Sequence, residues 1–345
     1  MTSGVSYEIL DLRHFTAAML RPLLEAEERV WRQRLHWDYR ASARLLMQYL
    51  DGHMLPGYAA LEPNPALNSA RSSELTPASR TSVPPRIAAY AFCVYEDTKA
   101  VIGDVFADPA VTGQPPVELE ETLLRHLLET LQHSPHVDRI ESQLLLHPSG
   151  THEGVFREHG FQLFRRLFMV RPLEDLSPVH TELPTGFEVR SWRDEDLTAA
   201  SRLICECYAD HPDSYINDQY RTQQGSLRFL HNIVRYSGCG TFSPGVSHLV
   251  TERSTREPVA LLLASRVSAQ SGHITQLCVR PKDRRRGLAH FLLGIGAQGF
   301  LRQGMSEVSL TVTEANAEAI DLYRREAYEM RHTFDAAVWE RSGTR

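Results

Sequence analysis

Long apolar runs are missing from this 345-residue sequence. The longest pieces, such as Val259 to Ala264, fall far short of the roughly 18 to 20 residues a membrane-spanning helix needs, so no membrane partner is expected. Cysteine is scarce. The five present, Cys93, Cys205, Cys207, Cys239 and Cys278, are odd in number and lack Cys-x-x-Cys spacing, which argues against a disulfide framework, a thiolate zinc site or a dithiol redox pair. They read as reduced thiols. Met1 to Leu10 includes Glu8 and lacks a basic-then-apolar signal pattern, so the expected location is the cytoplasm. Excess positive charge is lacking as well. A net charge of −6 and a pI near 6.2 argue against a protein that holds nucleic acid by neutralising phosphates. No Gly-x-Ser-x-Gly elbow and no Gly-x-x-x-x-Gly-Lys-Ser/Thr loop occur, which sets aside the corresponding hydrolases and P-loop enzymes. The 16 histidines are scattered without ligand spacing, and no metal is expected.

What is present is ordinary globular composition, 42% hydrophobic and 23% charged, in a chain too long for one core. Two domains are expected. Glu62 to Arg86, with five prolines and five serines, reads as a mobile loop. Pro172 to Gly186, with Pro172, Pro178 and Pro184, reads as a linker between a domain at 1–171 and one at 187–345.

The first half predicts helical structure from Phe15 to Leu50 and a hairpin of Ile87–Tyr95 with Ala100–Ala107. A helix Glu118–Gln132, a strand Arg139–Leu146, a helix Glu153–His159 and a strand pair from Phe161 follow. The second half repeats this order. A strand Phe187–Trp192 precedes helices Leu197–Tyr208, capped by Asp194 or Asp196, and Arg221–Tyr236. Strands Ser247–Glu252, Pro258–Val267 and His273–Val279 come next. A helix Arg286–Gln303, a strand Glu307–Thr313, a helix Ala315–Glu326 and strands Tyr328–Arg331 and Phe334–Arg341 complete it. The fold class is α/β (α+β): a tandem duplication of one unit, each with a mixed, mostly antiparallel sheet flanked by helices.

Chemistry concentrates at residues 277 to 289. An apolar strand is stopped by Pro281, and a polar turn leads into a helix whose start carries Arg284, Arg285 and Arg286. Cations at a helix N-terminus oppose its macrodipole, so an anion is expected there, and Gly287 and Ala289 leave room for it to approach the first-turn N–H groups. The second helix places Asn316, Ala319, Leu322 and Tyr323 at helical spacing.

These stretches resemble the GNAT superfamily of N-acetyltransferases. Its Val-x-Pro-x-x-Arg/Gln-x-x-Gly-x-Gly/Ala pattern matches Val279, Pro281, Arg284, Gly287 and Ala289, and its Asn-x-x-Ala-x-x-Leu-Tyr-x-x-x-Gly-Phe pattern matches Asn316, Ala319, Leu322 and Tyr323. Ala327-Tyr328 stands where the family has Gly-Phe. The resemblance covers about residues 186 to 341. It implies acetyl-CoA as co-substrate, bound by Leu277, Cys278, Val279, Arg284, Arg285, Arg286, Gly287, Leu288, Ala289, Asn316 and Tyr323. It also implies direct attack by a primary amine in a ternary complex, with Val279 N–H polarising the thioester carbonyl and Tyr323 protonating the departing thiolate.

His273 is the candidate base, because it lies six residues before Val279, the offset at which members of the resembled family carry a glutamate or a histidine; strand alternation, which would set His273, Thr275, Leu277 and Val279 on one face, is compatible with that role. Glu206, Asp210 and His211 are further candidates. Together with Asp213 and Asp218, the acidic residues hint at a cationic amine. The first half lacks the Arg-x-x-Gly-x-Ala loop and has Phe156 at the tyrosine position, which makes it a degenerate copy with a structural role. The expected acceptor is a small-molecule or peptide amine, and the expected state a monomer. A non-catalytic acyl-CoA sensor is the alternative from another class.

Overall fold

The computed structural model describes residues 7–62, 86–111, 115–174, 182–236 and 240–342. The expected mobile loop, apart from its ends Glu62 and Arg86, and residues 175–181 of the expected linker Pro172–Gly186 lie outside these described residues. The chain forms two compact units. The first comprises Met1–Val30, Ala43–Leu163 and Ala337–Arg345, and the second Trp31–Ser42 and Phe164–Ala336.

The first-half elements are β1 (Glu8–Asp11), α1 (Ala17–Leu35), α2 (Arg40–Asp51), β2 (Gly57–Leu61), β3 (Ile87–Glu96), β4 (Lys99–Ala107), α3 (Pro116–His133), β5 (Arg139–Gln143), α4 (Glu153–Glu158) and β6 (Gln162–Pro172). The expected helical stretch 15–50 is two helices, and β1 and β2 carry no sequence pattern strong enough to have been expected. In α3, Leu119, Leu123, Leu124, Leu127, Leu128 and Leu131 form one buried stripe. They share a core with Ala89, Ala91, Val105 and Ile140 of the sheet. Burial of such a stripe, at about 25 cal/mol per Å² of apolar surface, is what holds an amphipathic helix on a sheet.

The second-half elements are β7 (Phe187–Ser191), α5 (Leu197–Tyr208), α6 (Asp213–Ile216), α7 (Gln223–Arg235), β8 (Thr241–Phe242), β9 (His248–Glu252), β10 (Pro258–Arg266), β11 (Ser271–Val279), α8 (Leu288–Arg302), β12 (Glu307–Thr313), α9 (Ala317–Arg325) and β13 (Glu329–Glu340). α8 packs Leu288, Leu292, Leu293, Ala297 and Phe300 on one sheet face. α5 and α7 cover the other with Ala200, Leu203, Ile204, Leu230 and Ile233. The glycines of α8 have a packing reason: a Cβ at Gly296 would sit 3.3 Å from Leu262, and one at Gly299 3.2 Å from Val246. Asp196 precedes α5 without capping it, because its carboxylate is held by Arg190 at 2.5 and 2.7 Å and by Arg193 N–H at 2.8 Å.

The contiguous boundaries expected at 171 and 187 do not follow the folded units, because closing strands are exchanged. β6, sixth strand of the first half, pairs antiparallel with β12 from Glu307↔Pro172 to Thr313↔Arg166. β13, the last strand of the second half, takes the place beside β5, and its end from Ala337 belongs to the first unit. Each unit therefore takes a strand from the other half of the sequence. Residues 31–42 also belong to the second unit, where Asp38 N–H donates to Val267 O at 2.7 Å.

Candidate active site

β11 carries one residue more than its neighbour β10. Their register runs from Ala260↔Val279 to Leu263↔Gln276 and resumes at Ala264↔Ile274, leaving Thr275 as a bulge. Parallel pairing of β11 with β12 runs from Ser271↔Glu307 to Ile274↔Leu310 and ends there. A bulge bends and twists its strand, so the two strands part just beyond it while β12 stays paired with β6. The gap exposes one backbone edge of β11. Arg280 N–H donates to Val259 O on the β10 side at 2.8 Å, and successive N–H groups point to opposite edges, so Val279 N–H is turned into the gap.

The gap leads to the turn before α8. A short 3-10 turn, Pro281–Asp283, is followed by Arg285 at φ +62° and Gly287 at φ +84°, both left-handed. α8 begins at Leu288, and its first bond runs from Phe291 N–H to Gly287 O at 3.0 Å. The N–H groups of Leu288, Ala289 and His290 therefore have no intrahelical acceptor, the arrangement that receives anions. The arginines precede the helix rather than opening it, and two of them have carboxylate partners that weaken the charge argument made from sequence. Arg285 pairs with Glu318 at 2.8 Å and Arg286 with Asp283 at 3.0 Å, while Arg284 reaches Cys207 O at 3.2 Å. Asp283 is buried and also holds Arg280 at 2.6 Å, which anchors the turn from beneath.

Across the gap, Tyr323 is 9% exposed. Burial pushes its pKa up, with nearby Asp213 adding to the effect and Arg166 opposing it, so the hydroxyl keeps its proton. Asn316 caps α9, accepting from Ala319 N–H at 3.2 Å, and its Nδ2 lies 3.1 Å from His211 Nε2. His211 is half-buried, and Asp213 N–H donates to its Nδ1 at 3.1 Å. Its pKa is lowered, chiefly by burial and also by Arg284 and Arg166, against the pull of Asp213. Thr313 at the end of β12 donates to Asp213 Oδ1 at 2.5 Å. Gln276, next after the bulge, donates to Tyr208 Oη at 2.9 Å and accepts from Tyr220 Oη at 3.2 Å.

Residues 197–327 match the model of the acetyltransferase (GNAT) family. Residues 197–327 of the second unit are a GNAT domain. No curated protein matches the chain. Among solved structures, a GCN5-related N-acetyltransferase from Sphaerobacter thermophilus is similar, with a TM-score of 0.65 at 18% identity over 97% of this chain and 95% of that one. A tandem GNAT protein from the clavulanic acid biosynthesis pathway gives 0.59 at 11% over 97% and 98%. A GCN5-related glucosamine N-acetyltransferase region in a fungal GH3 β-N-acetylglucosaminidase gives 0.59 at 12%, over 98% of this chain and 38% of that one. At these identities the likeness is one of fold, and it spans both halves.

Within the GNAT domain, the candidate base His273 lies away from the gap. Because Thr275 is a bulge, strict alternation fails: Ile274, Leu277 and Val279 pack on the α8 side, and His273 falls on the opposite face. There its ring meets Trp37 at 4.9 Å and Phe168 at 6.3 Å, with Nδ1 bonded to Ser309 Oγ at 2.9 Å. Burial pushes its pKa down to about 3, with Arg166 contributing, so it is a neutral core histidine and a poor proton acceptor. The side chain of Cys278 faces α5 in a buried cluster with Cys207, so only its backbone borders the gap. Glu206 and Asp210 are exposed, Asp218 is half-buried in the turn before α7, and only Asp213 of the acidic candidates joins the cluster.

Sequence reasoning missed Arg166, Gln276, Tyr208 and Thr313. Gln276 and Thr313 were legible as strand ends beside the motif, but Arg166 comes from the exchanged strand and carried no signal.

The first unit repeats the geometry and closes it. Gly103 is the bulge in β4 opposite Phe92/Cys93, and parallel pairing with β5 ends at Ile102↔Ser142. Asp108 N–H donates to Ala88 O, which turns Ala107 N–H into the gap as Val279 N–H is in the second unit. That N–H is taken by Glu120 Oε1 at 3.0 Å.

Proposed function

We propose that this chain is an acetyl-CoA-dependent N-acyltransferase that moves an acetyl group to a primary amine by direct attack in a ternary complex formed on its second unit. The observation that carries the reading is the gap between β11 and β12, with Val279 N–H turned into it and the left-handed Gly287 turn at its end. These residues fit coenzyme A: a strand edge free to bond an extended chain, and first-turn amides of α8 with Arg284 and Arg286 nearby for a pyrophosphate. Bound acetyl-CoA would supply the thioester that the amine attacks.

Each residue then has a task. Val279 N–H donates to the carbonyl oxygen where negative charge develops. Asp213 draws the ammonium form of the acceptor toward the gap, and His211, kept neutral by burial, accepts its proton at Nδ1 in place of the Asp213 N–H. Tyr323, whose hydroxyl stays protonated, donates to the leaving sulfur. The acceptor is a small molecule or a peptide amine, and the protein acts as a monomer.

A thiol-release assay with acetyl-CoA and a panel of primary amines tests this. Wild-type turnover that falls about 100-fold in Tyr323→Phe, with acetyl-CoA affinity unchanged, is the expected result. Binding of acetyl-CoA without turnover on any amine would replace the enzyme with a non-catalytic acyl-CoA sensor.

A further inference from the structure

The gap in the first unit is lined by a cluster that the acyltransferase reading does not use. Glu120 from α3, His147 from the turn after β5 and His152 at the start of α4 are all buried there. Three of their atoms converge: His152 Nε2 lies 3.3 Å from His147 Nδ1 and 3.5 Å from Glu120 Oε2, and Glu120 Oε2 lies 3.7 Å from His147 Nδ1. Two ligands on a tetrahedral zinc with bonds of about 2.0 to 2.1 Å stand about 3.4 Å apart, and an ion amid these three atoms would lie about 2.0 Å from each. The spacing is that of a coordination triangle.

The surroundings orient two of the three groups for this use. His147 Nε2 bonds Val105 O at 2.8 Å, so Nε2 carries the hydrogen and Nδ1 turns its lone pair to the cluster. Glu120 Oε1 accepts from Ala107 N–H at 3.0 Å, which aims Oε2 inward. His152 Nε2 carries the hydrogen it shares with His147 Nδ1, and His152 Nδ1, which has no hydrogen-bond partner, can take that hydrogen when Nε2 turns its lone pair to an ion. Asp104 stands on the far side of His147, its Oδ1 3.9 Å from Nε2, and is not one of the convergent ligands.

We propose that Glu120, His147 and His152 bind one divalent transition-metal ion of the zinc class, with a fourth position left to water. The ion ties α3, the turn after β5 and the start of α4 together across the gap that the second unit keeps open. It is a structural clip on the degenerate half.

The test is calorimetric titration of the chelator-treated full chain with Zn2+, with Glu120→Gln and His147→Ala variants alongside. One ion per chain, bound about 100-fold more weakly by either variant, is expected from loss of a ligand, given that even second-shell losses cost 10- to 100-fold. Absence of wild-type binding in the micromolar range, or binding that neither variant weakens, overturns the proposal. Should the variants fail to fold, the wild-type Co2+ complex decides. Intense visible bands of a four-coordinate ion support the site, and the weak bands of six-coordinate hydrated Co2+ refute it.

Discussion

Replacing His273 by Phe separates a core histidine from a catalytic base. The ring sits between Trp37 and Phe168, so phenylalanine preserves the packing. Ser309 Oγ, which loses the imidazole, still donates to Gly272 O at 3.1 Å. In the folded protein the imidazole takes a proton only near pH 3, whereas in the unfolded chain it does so near its ordinary 6.5. Between these values the unfolded state binds the extra proton, so the stability is fully present above about pH 6.5 and is lost as pH falls toward 3. At about 1.4 kcal/mol per pH unit, this one residue costs the wild type roughly 2 kcal/mol on going from pH 7 to 5. Denaturant unfolding at both pH values should show the wild type losing that much more than His273→Phe, while acyl transfer at pH 7.5 is retained. Equal acid losses in the two proteins would refute the buried, neutral assignment. A folded variant with turnover reduced more than tenfold would return His273 to catalysis.

At the acceptor side, His211→Gln should lower kcat/KM about 100-fold, the usual contribution of a positioned base. Because burial lowers its pKa, the acid limb of the wild-type profile should fall below pH 6.5 and vanish in the variant; an unchanged profile would assign the base elsewhere. Deleting Thr275 should remove the bulge and draw β11 and β12 together beyond Ile274, leaving a folded protein by circular dichroism that no longer binds acetyl-CoA. Affinity within threefold of wild type would detach the gap from cofactor binding. Replacing Asp283 by Ala leaves the buried Arg280 without its 2.6 Å partner and should destabilise by about 3 kcal/mol, read as a lower unfolding midpoint.

Local patterns carried the elements well. Leu197–Tyr208 and Glu307–Thr313 have the bounds read from periodicity, and the Val279 to Ala289 and Asn316 to Tyr323 spacings pointed to the two sides of the gap. Long-range geometry stayed hidden for physical reasons. One extra residue, Thr275, reverses the faces of everything before it, and no propensity marks it, which is why simple alternation puts His273 on the wrong side. The exchange of β6 and β13 leaves each strand with an ordinary alternating pattern, so neither the true units nor Arg166 could be read along the chain. His147 and His152 are five residues apart, and their carboxylate lies 27 residues upstream in a helix, a spacing that no ligand motif covers.

The central claim is a single coenzyme A site on the second unit, and calorimetry with acetyl-CoA tests it most directly. Gly287→Val forces a branched side chain into φ +84° at the turn before α8, a strain of about 1 to 2 kcal/mol. Glu120→Gln alters the corresponding gap of the first unit. One site per chain, weakened at least tenfold by Gly287→Val and unaffected by Glu120→Gln, is the predicted result. No binding by the folded wild type, or binding lost only through Glu120→Gln, would contradict it.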